Sequence, residues 1–96
     1  MNRRSVFKFR LYTADGTQNS ALALANLTAL CRMHLRDRFE IEVVDVFREP
    51  ERAQADGIRM TPTLIKLSPG PHCRIVGALN QTQSVLVALG LEDIAA

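Results

Sequence analysis

An α/β domain with the element order β-α-β-α-β-β-α is the fold class the sequence predicts, and three observations carry it. In Arg59-Met60-Thr61-Pro62-Thr63-Leu64-Ile65-Lys66-Leu67 a proline stands just before an apolar run. Proline has no amide hydrogen and a fixed φ, so it belongs at the start or edge of a strand. Leu24, Leu27, Cys31 and Leu35 recur at helical spacing and mark a helix with one buried stripe. Pro69-Gly70-Pro71 separates two apolar runs so closely that they must pair as an antiparallel hairpin.

The first strand is Val6 to Thr13, where Phe7, Phe9 and Leu11 alternate with Lys8, Arg10 and Tyr12. It is expected to be half buried, or to lie at an edge with its charged stems along the surface. Ala14 to Asn19 is a turn punctuated by Asp15-Gly16, after which Asn19 or Ser20 caps a helix. That helix runs to about Arg38, its stripe widened by Leu30 and His34, with basic Arg36 to Arg38 suiting the negative end of the helix dipole. His34 is read as packed or half exposed, since no second metal-ligating residue lies four residues away on either side.

Phe39 to Val46 is the second strand, and its nearly continuous apolar second half suggests a central, parallel position. Asp45 is given a structural role there. Pro50 opens a short helix through Asp56, and Gly57 ends it. Thr63 to Ser68 is the third strand and His72 to Val76 the fourth, broken by Gly77. Asn80 to Gln83 reads as a capping-box-like start for a last helix with Val85, Leu86 and Leu89 on its apolar face; Glu92 to Ala96 is expected to fray.

Two right-handed helical crossovers would give parallel pairings, with the closing hairpin as an antiparallel edge. This is a thioredoxin-like layout. It sets Pro62 at the start of the third strand, facing the loop after the first. Thr61 is pushed towards extended geometry by the proline that follows it. The cis form of an X-Pro bond costs only about 0.5–1 kcal/mol, and Thr61–Pro62 is expected to be cis.

The sequence has 96 residues, 47% hydrophobic and 23% charged, which fits one folded domain over 1–96. Formal net charge is +2, with ten arginines against two lysines and no tryptophan. Neither a clustered basic face nor a base-stacking platform is present, so nucleic acid is not an expected partner. No apolar run approaches the roughly 20 residues that span a bilayer. Met1-Asn2-Arg3-Arg4 is followed by a strand pattern rather than a signal sequence, so no membrane is expected and the cytoplasm is the default location.

Cys31 and Cys73 form neither a C-x-x-C pair nor a zinc spacing. Cys31 falls on the apolar helix face as a small core residue, and no metal or other cofactor is expected. In thioredoxin-like enzymes the helix N-terminus after the first strand lowers a thiol pKa. Here that loop, Ala14 to Ser20, contains no cysteine. A capping role accounts for Ser20, so a thiol or glutathione enzyme is the least favoured reading.

Leu11-Tyr12-Thr13-Ala14-Asp15-Gly16-Thr17-Gln18-Asn19-Ser20, Val44-Asp45-Val46 followed by Pro50, Met60-Thr61-Pro62-Thr63-Leu64, Arg74-Ile75-Val76-Gly77 and Val85-Leu86-Val87-Ala88-Leu89 resemble, in order, blocks of the KaiB family of circadian clock proteins. The resemblance covers nearly the whole chain. It implies a non-enzymatic module that binds the ring-shaped ATPase KaiC, or a KaiC-like relative, and modulates circadian or stress-type signalling. It also implies a metamorphic second half that packs either as a thioredoxin-like unit or as the KaiB ground-state tetramer arrangement. A dimer or tetramer of the chain is compatible with it.

Leu22 stands where cyanobacterial members carry arginine, Glu42 replaces a lysine of the second strand, and Gly57 replaces a lysine shortly before Thr-Pro-Thr. Asp56 is kept, Arg59 is added, and Lys66 and Arg74 match basic positions. The resemblance therefore implies a partner-binding set of Leu22, Glu42, Asp56, Gly57, Arg59, Lys66 and Arg74, with Ser20, Thr61 and Pro62 structural and no catalytic residue. Its altered charges imply weaker docking on an acidic surface and a divergent, non-clock member. Ala88, at a position open to glycine in clock members, favours helix by about 0.8–1 kcal/mol, so the thioredoxin-like packing is expected. The alternative function is an adaptor or sensor domain for a histidine kinase or response regulator.

Overall fold

The structure is a computed structural model describing residues 6–91; the expectations for Met1 to Arg4 and for the Glu92–Ala96 tail lie outside the described residues. The elements are β1 (Phe7–Thr13), α1 (Gln18–His34), β2 (Phe39–Asp45), α2 (Pro50–Ala55), β3 (Thr63–Ser68), β4 (Cys73–Val76) and α3 (Thr82–Leu89). They follow the predicted order.

The sheet runs β2-β1-β3-β4. β1 pairs with β2 in parallel, β3 is antiparallel to β1, and β4 is antiparallel to β3. Two expectations are corrected here. β2 is an edge strand and β1 is central, with Phe9, Leu11 and Tyr12 at most 1% exposed. The second connection also gives an antiparallel rather than a parallel pairing. The reason is length: α2 has six residues, about 9 Å of helix. A strand of seven residues spans more than about 20 Å, so the chain returns at the end of the sheet it left. Tyr12 pairs with both Val44 and Thr63 there.

β1 divides the core between the two faces of the sheet. Phe7, Phe9 and Leu11 pack with Leu27, Cys31, Leu64, Leu86 and Leu89 beneath α1 and α3. On the other face Tyr12, Val44, Ile65 and Ala53 form a smaller cluster under α2.

α1 differs from its expected outline. Thr17 is its N-cap, two residues before Asn19, because the Thr17 amide donates to the Ala14 carbonyl and closes the preceding turn. Its buried face is Ser20, Ala23, Leu27, Leu30 and Cys31, completed by Leu35, while Leu24 is 36% exposed. The leucines surround too much of this helix for spacing alone to fix its inner side. The helix ends at His34 and Arg36 takes φ 56°, so Arg32 and His34, not Arg36 to Arg38, are the basic residues of its last turn. α3 buries Val85, Leu86 and Leu89 as expected, but its N-cap Gln81 makes no capping hydrogen bond from its side chain. Gly90 closes it at φ 76°, left-handed geometry that favours glycine.

Thr61–Pro62 is cis, as are Ser68–Pro69 and Gly70–Pro71. Among the described residues no helix is long and apolar enough to cross a membrane.

Candidate functional site

β1 ends beside the N-terminus of α1, the position where thiol chemistry would sit in this layout. The Ala14–Thr17 turn is fastened internally. The Ala14 amide donates to Ser20 Oγ at 2.9 Å, and Thr17 Oγ1 donates to the Ala14 carbonyl at 2.7 Å. Ser20 is therefore a buried acceptor inside the loop rather than the cap it was expected to be. An open cleft of about 460 Å³ lies alongside, lined by Thr13, Asp15, Gln18, Ala21, Leu24 and Val43. No sulfur faces it. Cys31 is fully buried and its thiol is pushed up to about 12 by that burial, so it stays protonated at neutral pH. Cys73 lies on β4, with its Sγ 3.5 Å from the Ala88 carbonyl.

The other polar concentration lies on the α2 face. Register sets Glu42, Arg10, Ile65 and Arg74 in one row across the sheet. Arg10 Nε meets Glu42 Oε1 at 2.9 Å and its Nη1 meets Asp56 Oδ2 at 3.0 Å. Arg52 on α2 reaches Glu42 Oε2 at 2.8 Å and Glu49 Oε1 at 3.3 Å. The Tyr12 hydroxyl, at the centre, donates to Asp56 and lies 3.1 Å from the Arg52 carbonyl. These contacts tie the middle and the C-terminal end of the short α2 to the sheet.

The electrostatics follow from that geometry. The Tyr12 hydrogen bond, helped by Arg10, holds the Asp56 carboxyl below its ordinary range. Hydrogen bonds from Arg10 and then Arg52 do the same for Glu42. Burial first, and then the bond to Asp56, pushes Tyr12 up. The two carboxylates have lowered folded-state values, so their stabilisation is present above about pH 4 and is lost as pH falls through the lowered values. Tyr12 has a raised value, so its contribution holds below about pH 10 and is lost as pH rises beyond it. Urea midpoints measured across pH should fall at both ends, and Glu42→Gln should flatten the acid limb. An acid limb unchanged by that substitution would count against the assignment.

Of the expected partner-binding residues, the structure groups Glu42, Asp56 and Arg74, and Arg74 adds a favourable charge near Asp56. Gly57, at φ 67°, and exposed Arg59 follow directly after α2. Leu22 is 41% exposed on α1, across the sheet from this group. Lys66 departs from the expectation of a surface contact. It is 7% exposed, its Nζ 3.4 Å from the Leu89 carbonyl at the end of α3 and 5.8 Å from the centre of the Phe7 ring. Period-two alternation turns it to the same face as Leu64's partners under α3, where a carbonyl and an aromatic ring receive the ammonium. Thr61 is half buried and Pro62 buried at the start of β3. Sequence reasoning missed Arg10, Tyr12 and Arg52 as a unit. The signal available was their spacing, Arg10 and Tyr12 on one strand face and Arg52 four residues before Asp56 on a helix.

Comparison with known proteins gives a consistent result. The KaiB domain matches residues 10–91. The chain is 39% identical over 82 residues to the circadian clock protein KaiB3 of Synechocystis sp., covering 85% of this chain and 80% of that protein. It is 38% identical over 91 residues to the circadian clock oscillator protein KaiB of Prochlorococcus marinus, covering 95% and 76%. Among solved structures, the N-terminal domain of Synechococcus elongatus SasA superposes with a TM-score of 0.72 at 16% identity over 93% of this chain and 88% of that one. Chloroplastic thioredoxin z does so with a TM-score of 0.75 at 18% identity, covering 94% and 81%. The fold is thus thioredoxin-like.

Proposed function

The chain belongs to the KaiB family, and from that premise we propose that it is a non-enzymatic docking module that binds a KaiC-like ring ATPase and modulates signalling. The observation that carries this reading is the first loop: its one buried hydroxyl is spent on an internal hydrogen bond, and its cleft faces no thiol. Where a thioredoxin-like enzyme has a nucleophile, this chain has only surface. The docking surface takes in Leu22 on α1 and, on the opposite, α2 side of the sheet, Glu42, Asp56, Gly57, Arg59 and Arg74. Lys66 supports it from inside by holding α3 to the sheet. Glu42 and Asp56 are neutralised by Arg10 and Arg52, which leaves Arg59 and Arg74 to meet an acidic partner.

Size-exclusion chromatography with light scattering, on the chain alone and mixed with the host's KaiC-like ATPase, tests the proposal. A complex is expected, and Arg59→Glu should weaken it by about tenfold or more, because like charges would then face each other. No complex with the ATPase, with capture of a histidine kinase or response regulator instead, would replace this reading by the adaptor one. Turnover of a dithiol or glutathione substrate would overturn both.

A further inference from the structure

The two edges of the sheet are unlike each other, and each lacks what the other offers. Among the described residues β4 pairs on one side only, with β3. Beside its open side a groove of about 330 Å³ lies between β4 and α3, lined by Ile75, Val76, Leu79, Ser84, Val85 and Ala88. On the opposite face of the same strand Arg74 is exposed. β2 is the other open edge. Register through Leu11, Leu64 and Ile75 puts Val43, and with it Ile41, on the groove side of the sheet, while Glu40 and Glu42 lie on the Arg74 side. Val43 is 45% exposed although it lies in a strand.

Like-with-like pairing is disfavoured at both edges. Two β2 strands would set Glu40, Glu42 and Asp45 among their own copies, and two β4 strands would oppose arginines. β2 against β4 matches apolar to apolar and acid to base. Glu42 is already held by Arg10 and Arg52, so exposed Glu40 is the acid available to a second molecule.

We propose that copies of this chain associate head to tail, β2 of one molecule extending the sheet of the next at β4. Glu40 faces the neighbour's Arg74, and Ile41 and Val43 cover the mouth of the β4–α3 groove. β4 has only four residues and follows Pro71, which cannot donate a ladder bond, so each contact is short and the association weak and concentration-dependent. A contact of this heterologous kind grows beyond a dimer unless its rotation closes a ring.

Sedimentation velocity on the chain alone, from low micromolar to near millimolar concentration, tests this without reference to any ATPase. The mean mass should rise with concentration and fall with added salt. Arg74→Glu and Glu40→Arg should each lower the association constant by about tenfold or more, and the double variant should restore it. Circular dichroism checks that each variant folds; Glu40→Arg, outside the α2 ion pairs, serves if Arg74→Glu does not. A monomer at every concentration, an oligomer indifferent to both substitutions, or a double variant without recovery would each overturn the proposal.

Discussion

Tyr12→Ala is expected to lower stability by about 3–5 kcal/mol, the range for removing a large buried aromatic. The ring is 0% exposed and forms the second core with Val44, Ile65 and Ala53. Its hydroxyl adds a separate contribution as the donor to Asp56 beneath α2. Tyr12→Phe keeps the ring and removes only the hydroxyl, so about 1–3 kcal/mol should be lost, the cost of taking one of its two side-chain donors, Arg10 being the other, from a partly buried carboxylate. Urea denaturation of both variants separates the two contributions. If Tyr12→Phe costs as much as Tyr12→Ala, the ring is not what supports α2. If neither costs more than about 0.5 kcal/mol, the value typical of surface changes, the second core is not a stabilising unit.

Leu27→Ala should cost about 2–5 kcal/mol, as buried leucine truncations do, whereas Leu24→Ala should stay within about 0.5 kcal/mol. Both leucines belong to the helical spacing visible in the sequence, but Leu27 is 0% exposed against β1 and α3 while Leu24 is 36% exposed beside the open cleft. Thermal or chemical unfolding of the pair reads the orientation of α1 directly. Equal losses would mean that α1 is rotated from the arrangement described.

Glu42 shows why the candidate site was only partly legible. Resemblance marks it as a departure from a family lysine, which reads as a change in what the surface offers a partner. In the structure it is the acid that receives both Arg10 and Arg52. A lysine at that position would put three cations together, so the departure belongs with arginines elsewhere in the chain. Arg10 and Glu42 are separated by 32 residues and Arg10 and Asp56 by 46. Short-range periodicity carries no information over that distance. Lys66 joined the partner set because it matches a basic position of the family, and that match carries no sign of burial; the end of α3 and the Phe7 ring supply its buried surroundings.

The sequence by itself determined the order of elements, the limits of β3, the termination of α2 at Gly57 and the buried face of α3. Each rests on neighbouring residues acting through proline geometry, glycine conformation or side-chain period. Tertiary structure alone decided that β3 runs against β1, that β1 rather than β2 is central, which side of α1 faces inward, and which charges meet across α2. Those outcomes depend on how far a connection can reach and on which surfaces it brings together, and such contacts exist only once the chain is folded.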